Sequence, residues 1–276
     1  MKTNNYTLLY DDACPLCVAY TKGFVKAGLL QADNRKAFSQ QDPSLLQKIN
    51  ISKAVNEIPL IDNSTGTIYY GIDALLEILD QKIPLVKTIG NFSPFKWFLL
   101  KLYKFISYNR KVIVAKTSAA GSFDCSPAFN IPYRILFLAV FLIFNTAMLF
   151  PIHRFVIQKS MFANSSIVQL QMAHTLLVAV NVMISFRLSK KEAVEYLGQV
   201  NMLALTAILL NIPLILLNKY AAFPLTAINN FFLGMITVFI VKEYVRRMRY
   251  AGIMNKPWLI YANGLGITAF LVYLFF

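Results

Sequence analysis

The sequence predicts two regions of different fold class, an N-terminal α/β domain followed by an all-α transmembrane bundle of about five helices. Of the 276 residues, 57% are hydrophobic, whereas soluble domains average about 45–50%. Charge is also distributed unevenly. Residues 1–80 carry 7 Lys or Arg and 9 Asp or Glu, whereas residues 135–276 carry 11 and 3. We therefore expect a domain at 1–90, a basic amphipathic connector at 91–134 and a membrane domain at 135–276.

Nucleic acid is not expected as a partner, although the net charge is +14. The excess Lys and Arg lie in the connector and in the loops between apolar segments, where membrane topology favours basic residues. The expected partner of this surface is a lipid bilayer.

The first ninety residues alternate short apolar runs with helical patterns. Strands are predicted at Thr7–Tyr10, Lys36–Ser39, Ile58–Asp62 and Thr67–Tyr70, with turn residues NSTG between the last two. Helices are predicted from Pro15, after Pro43 and at Ile72–Leu79, because Pro suits the first turn of a helix. The predicted order is strand, helix, strand, helix, strand, strand, helix.

Cys14 and Cys17 form a C-x-x-C pair directly after the first strand. Because Pro15 begins a helix, Cys14 lies at its N-terminus, where free N–H groups and the helix dipole favour a thiolate. Three cysteines are too few for a disulfide framework. The N-terminus also lacks the apolar core of a secretory signal. We therefore expect the pair in a reducing cytoplasm, where disulfides are transient and catalytic.

This pattern resembles the thioredoxin fold, and more narrowly the DCC family of predicted thiol-disulfide oxidoreductases. The matching residues are Asp11, Cys14 and Cys17 in D-x-x-C-x-x-C, GTIYYGIDAL at 66–75 and YKFISYNRK at 103–111. The resemblance extends over about residues 6–115. It implies a redox-active dithiol that needs no cofactor or metal and acts on protein or small thiol and disulfide substrates.

The resemblance also implies roles for individual residues. Cys14 is the attacking thiol, Cys17 resolves the mixed disulfide, and Pro59 is a candidate cis proline that guides the substrate backbone. Asp11 either disfavours the Cys14 thiolate by repulsion or moves protons to Cys17. Both roles of Asp11 stay open.

Two other interpretations of the cysteine pair remain. C-x-x-C is also a zinc and iron–sulfur spacing, but only Cys125, His153 and His174 are available as further ligands. We therefore predict no metal. Alternatively, the pair is redox-inert in a docking domain. Cys125 is either a third redox thiol near the membrane or a thiol without a role.

Five segments lack Asp, Glu, Lys and Arg and approach the roughly 20 residues that cross a bilayer as a helix. They are Ile135–Ile152, Ser160–Phe186, Tyr196–Asn218, Tyr220–Val241 and Pro257–Phe276. Loops after the second and fourth segments carry eight Lys or Arg, against three after the first and third. This bias predicts a multi-pass protein of a bacterial inner membrane, with the N-terminal domain in the cytoplasm and the C-terminus outside.

Every predicted span contains asparagine, and the second also contains Gln171, His174 and Asn181 near one helical face. Such residues either join helices by hydrogen bonds or line a polar intramembrane site for a ligand, quinone or proton. The second interpretation leads to an alternative function. The bundle would then be a transporter or ligand-binding module, and the α/β domain would regulate or dock it.

Overall fold

The structure is a computed structural model that describes residues 5–41, 43–115, 127–220, 225–253 and 255–275. The chain divides into two compact units, Met1–Tyr133 and Arg134–Phe276. Cys125 lies outside the described residues.

The first unit contains a four-stranded mixed sheet in the order β2-β1-β3-β4. The strands are β1 (Tyr6–Tyr10), β2 (Arg35–Ala37), β3 (Pro59–Asp62) and β4 (Ile68–Tyr70). β1 pairs in parallel with β2 and antiparallel with β3, and β3 pairs antiparallel with β4. The helices are α1 (Pro15–Lys26), α2 (Pro43–Gln47), α3 (Ile51–Ala54), α4 (Gly71–Leu79), α5 (Val86–Asn91) and α6 (Ser93–Ile113). The predicted order of strands and helices is confirmed.

Alternation along β1 builds a core on both faces of the sheet. Leu8 packs with Leu60 and Ile78 on one face, whereas Leu9 packs with Phe38 on the other. Successive strand residues point to opposite faces, so a single apolar run supplies both cores. The strand is therefore held rigidly, and Asp11 follows directly at its C-terminal end.

The second unit is formed by α7 (Ile131–Phe155), α8 (Ile167–Ser185), α9 (Lys190–Tyr220), α10 (Thr226–Tyr250) and α11 (Trp258–Phe275), the first turn of α7 lying in the first unit. Four of these helices, α7 to α10, are long and apolar enough to cross a membrane. The fifth predicted span coincides with α11, which is apolar but shorter. The all-α membrane region is confirmed, with four long helices and one shorter one.

The helices of this unit extend beyond the apolar runs that predicted them. α9 begins at Lys190 and therefore includes Glu192 and Glu195. At this end, Arg134 at the start of α7 lies 3.1 Å from Glu195. Arg247 near the end of α10 pairs with Glu243 at 2.9 Å and donates to Gln199 Oε1. Part of the positive charge counted in the loops is thus neutralised inside the bundle.

Candidate active site

The cysteine pair lies at the start of α1, in the place that Pro15 predicts. Cys14 is the N-cap residue in an extended conformation, and Pro15 occupies the first helical position. Cys17 lies one turn further, and Val18 N–H donates to the Cys14 carbonyl at 3.0 Å. Both thiols are free and buried, with Cys14 8% and Cys17 4% exposed. The helix thus holds two thiols side by side with little access to water.

Asp11 and Arg110 complete a buried group around these thiols. Asp11 Oδ1 accepts from Ala13 N–H at 3.0 Å, and its Oδ2 lies 3.4 Å from Arg110 Nη2. Arg110 Nη1 lies 3.6 Å from the Cys17 sulfur. One oxygen of Asp11 and the two sulfurs all lie within 4.8 Å of one another. We call Asp11, Cys14, Cys17 and Arg110 the thiol cluster.

The thiol cluster separates the acidities of its two cysteines. A hydrogen bond from the Cys17 side chain is the largest effect on Cys14 and lowers its pKa to about 6, in spite of burial. The Cys17 backbone N–H and the positive charge of Arg110 lower it further, and Asp11 opposes them. The same hydrogen bond, followed by burial, raises the pKa of Cys17. Cys14 is therefore a thiolate at neutral pH, and Cys17 is its proton-bearing partner.

Burial also changes the acidity of Asp11. It raises the pKa of this carboxyl above its ordinary value, although the Arg110 guanidinium acts in the opposite direction. A carboxyl with a raised pKa accepts a proton more readily than one in water.

Helix α6 positions Arg110 at this site, because side chains of the helix form hydrogen bonds with the segment that precedes β3. Tyr103, Ser107 and Arg110 are spaced four and three residues apart, so they share one face of the helix. The Tyr103 hydroxyl accepts from Ile58 N–H at 2.9 Å, and Ser107 donates to the Asn56 carbonyl. Arg110 Nη2 donates to the Val55 carbonyl at 3.0 Å. Three consecutive contacts thus hold residues 55–58 against the helix.

Pro59 begins β3 at the same end of the sheet. The register pairs Leu8 with Leu60, so Pro59 lies beside Leu9, close to the end of β1. No cis peptide bond occurs in the described residues, and the prediction of a cis proline is therefore wrong. Only about 5–6% of bonds before proline are cis in folded proteins.

Gly71, the first residue of α4, supports this arrangement. Its N–H donates to the Ile58 carbonyl at 2.9 Å, and its φ is +57°. A Cβ here would lie 3.2 Å from Glu57 Oε2 and 3.3 Å from a ring carbon of Tyr103. Glycine is required both by the left-handed backbone and by the close packing of Tyr103.

Arg110 is the site residue that sequence reasoning missed. The predicted basic amphipathic connector, residues 91–134, counts Arg110 among its cations, but the structure buries this residue. The average over one helix face does not distinguish a single buried cation from exposed ones. The polar stripe of Tyr103, Ser107 and Arg110 is the signal that would have found it.

Among the described residues, neither Asp12 nor a complete set of metal ligands adds to the thiol cluster. Asp12 is next to Asp11 in the sequence, but its carboxylate accepts from the hydroxyl of Ser39, just after β2, at 2.8 Å. A metal could use Asp11, Cys14 and Cys17 as three ligands. Structural zinc takes four ligands, and the neighbouring Arg110 cation repels a metal ion.

A mostly apolar cavity of about 330 Å³ opens beside Cys17. Aromatic and aliphatic side chains form most of its wall, namely Leu16, Tyr20, Phe24, Leu75, Tyr103 and Ile106, and Arg110 contributes a cation. This space provides an apolar surface next to Cys17.

In the helical unit, His174 and Asn181 line one cavity, but Gln171 does not line it. Asn145 and Asn201 complete the polar part of its wall. Asn145 comes from α7 and Asn201 from α9, so the face of α8 alone could not predict them.

Comparison with protein-family models gives a match to the first unit. Residues 8–116 match the family model described as DCC1-like thiol-disulfide oxidoreductase. Curated proteins and solved structures give no match. The matched range ends after Arg110, so α6 lies inside the family domain. The resemblance stated from the sequence is confirmed over residues 8–116, which form a thioredoxin-like domain that matches this family model.

Proposed function

We propose that the chain is a membrane-bound thiol-disulfide oxidoreductase in which Cys14 is the nucleophile and Cys17 the resolving thiol. The observation that carries this proposal is the thiol cluster, in which one pKa is lowered and the other raised within a single buried group. Such opposed pKa shifts are typical of a pair in which one thiol attacks as a thiolate and the other stays protonated until the second step.

In the first step, the Cys14 thiolate attacks one sulfur of a substrate disulfide. A bond forms between Cys14 and that sulfur, the substrate S–S bond breaks, and the other substrate sulfur leaves as a thiolate that takes up a proton. Arg110 favours the initial thiolate because its positive charge lowers the pKa of Cys14.

In the second step, Cys17 loses its proton and attacks the Cys14 sulfur. The Cys14–Cys17 disulfide forms, the bond between Cys14 and the substrate sulfur breaks, and that sulfur leaves as a thiolate that takes up a proton. The substrate now has two thiols, so two electrons have passed from the enzyme to the substrate. While Cys14 is in a mixed disulfide, it cannot accept the Cys17 proton. Asp11 is the acceptor because it lies within 4.8 Å of both sulfurs and has a raised pKa. The reverse sequence oxidises a dithiol substrate.

In this proposal the helical unit anchors the chemistry at a bilayer, with the thioredoxin-like domain on the cytoplasmic side and the C-terminus outside. The excess of Lys and Arg around the junction of α8 and α9 and at the C-terminal end of α10 supports this orientation. On α6, Trp97, Phe98, Leu102 and Ile106 are exposed, so this helix also presents an apolar surface that suits the interface.

The decisive experiment uses the purified full chain in detergent and follows reduction of a small fluorogenic disulfide. Cys14→Ser is expected to abolish the reaction, because no other thiolate forms at neutral pH in the thiol cluster. Cys17→Ser is expected to trap substrate in a mixed disulfide with Cys14. Cys125→Ser is the matched control and retains activity. Undiminished turnover by Cys14→Ser would refute the assignment.

A further inference from the structure

A cavity of about 180 Å³ lies between α7, α8 and α9 in the helical unit. Most of its wall is aliphatic, with Leu138, Leu142, Leu177, Val178, Leu197 and Val200 among its residues. Leu142 and Val182 at its edge are exposed on the outside of the bundle. The space is thus accessible from the region where lipid chains lie.

The orientation of the two amides in this wall follows from their partners. Asn201 Nδ2 donates to the Leu138 carbonyl at 3.1 Å, so Asn201 Oδ1 is the acceptor. Asn145 Nδ2 donates to that oxygen at 2.9 Å. The amino group of Asn145 must therefore face Asn201, and its Oδ1 faces away from this pair.

Among the described residues, no donor lies within hydrogen-bond distance of Asn145 Oδ1. Asn145 is only 1% exposed, and a buried acceptor left unpaired costs about 1–3 kcal/mol. Asn181 does not supply the donor, and its amino group donates to the Leu177 carbonyl while its oxygen accepts from the Tyr196 hydroxyl. Asn145 also lines the cavity, so the hydroxyl of a ligand bound there can supply the missing donor.

The volume and the walls restrict the ligand further. A cavity of about 150 Å³ with aliphatic and aromatic walls binds benzene in another protein, so this one accepts a single ring. His174 adds an imidazole to the wall, which can pair with a second polar group of the ring. The exposed edge at Leu142 and Val182 leaves room for an apolar tail.

We propose that this cavity binds the head group of a lipid-soluble hydroquinone, with one ring hydroxyl donating to Asn145 Oδ1. The aliphatic wall holds the ring, His174 faces its second hydroxyl, and the tail leaves between α7 and α8. The site is independent of the thiol cluster, so its failure would leave the proposed oxidoreductase activity unaffected.

The test measures equilibrium binding of a decyl-substituted 1,4-hydroquinone to the full chain in lipid nanodiscs under nitrogen, with empty nanodiscs subtracted. Its dimethyl ether keeps the ring and tail but has no donor. The hydroquinone is expected to bind about tenfold more tightly, which is the effect of one hydrogen bond. Equal affinity of the two compounds would overturn the proposal, and the absence of saturable binding would mean that only water occupies the cavity.

Variants then test whether Asn145 is the residue that accepts the hydrogen bond from the ligand hydroxyl. Asn145→Leu is expected to weaken hydroquinone binding about tenfold and to bring it to the level of the ether. Asn211→Leu is the matched control, since Asn211 Oδ1 on α9 is also buried without a donor among the described residues but does not line the cavity. Ala204→Leu enlarges a residue of the cavity wall while both asparagines are kept, and it is expected to abolish binding. Wild-type affinity in both Asn145→Leu and Ala204→Leu would exclude the site.

Discussion

The two units of the chain bury polar side chains in different ways. In the thioredoxin-like domain, Asp11 and Arg110 form a buried ion pair against two thiols. In the middle of the helical unit the buried groups are neutral, as in the hydrogen bond from Asn263 Nδ2 to the Tyr196 hydroxyl at 2.8 Å. Burying charge is costly unless each charge is paired, whereas amide and hydroxyl pairs join helices at little cost. In the thioredoxin-like domain the buried charges surround the two thiols, whereas in the middle of the helical unit neutral hydrogen-bonded groups join the helices.

The helical unit keeps its buried charges at one end. Arg134 with Glu195 and Arg247 with Glu243 lie where α7 and α9 begin and α10 ends. Towards the opposite end, Asn218 and Asn229 bond to each other at 2.7 Å. This distribution follows the same principle, since ion pairs are tolerated near water and amide pairs are tolerated within the hydrocarbon.

The unfolding of each unit can be followed separately by tryptophan fluorescence. The chain has two tryptophans, Trp97 in the first unit and Trp258 in the second. In the full chain, Trp258→Phe leaves Trp97 as reporter of the thioredoxin-like domain, and Trp97→Phe leaves Trp258 as reporter of the helical unit.

The largest effect is expected from Arg110→Met. Loss of the guanidinium leaves Asp11 buried without its cation, which costs about 3–5 kcal/mol. Urea unfolding followed at Trp97 measures this loss, and thiol alkylation against pH should show a raised pKa for Cys14. Lys101→Met, an exposed position on the same helix, is the control and should change stability by about 0.5 kcal/mol or less. Equal stability of the two variants would contradict the central role of the ion pair.

The second prediction concerns how the stability of the thioredoxin-like domain, with both thiols reduced, depends on pH. The pKa of Cys14 falls from 9.0 to about 6 on folding, so its contribution to stability is complete above pH 9 and is lost as pH falls through 6. The domain should gain stability from pH 6 to 9, by at most about 1.4 kcal/mol per pH unit for one thiol. Above pH 9 the raised pKa of Cys17 acts in the opposite direction.

Urea unfolding at Trp97, compared between the wild-type thiols and Cys14→Ser across this range, isolates the Cys14 contribution. The Cys14→Ser variant should have the flatter profile. Parallel profiles would show that Cys14 has an ordinary pKa in the folded domain.

The smallest effect is expected in the helical unit, from Asn263→Leu. It removes the donor to Tyr196 and to the Tyr244 hydroxyl at 3.1 Å. Hydrogen bonds between membrane helices average about 0.6 kcal/mol and reach about 1.7 kcal/mol. We therefore expect the free energy of unfolding, followed by the fluorescence of Trp258, to fall by about 1–2 kcal/mol. The control is Thr268→Val, an exposed position on the same helix whose hydroxyl bonds only to the Gly264 carbonyl. A loss of stability as large as that of Arg110→Met would contradict the expectation that buried neutral groups contribute less in the helical unit than the buried ion pair does in the thioredoxin-like domain.

Local patterns predicted the elements of the thioredoxin-like domain well. Pro15 marks the beginning of α1, and the alternation around Leu8 and Leu9 marks β1, because propensity and periodicity act between neighbouring residues. The long uncharged runs predicted the apolar helices for the same reason. The exact ends of α7 and α9 were not predicted, since charged turns such as Lys190–Glu195 continue a helix once ion pairs compensate them.

The sequence by itself determined the order of strands and helices, the position of Cys14 and Cys17 at a helix start, and the division into an α/β and an apolar helical region. Only the tertiary structure decided that Arg110 lies 3.6 Å from the Cys17 sulfur, that the Ile58–Pro59 bond is not cis, and that Asn145 pairs with Asn201. The physical reason is distance along the chain. Cys17 and Arg110 are 93 residues apart, and the packing that brings them together depends on the whole domain rather than on any local pattern.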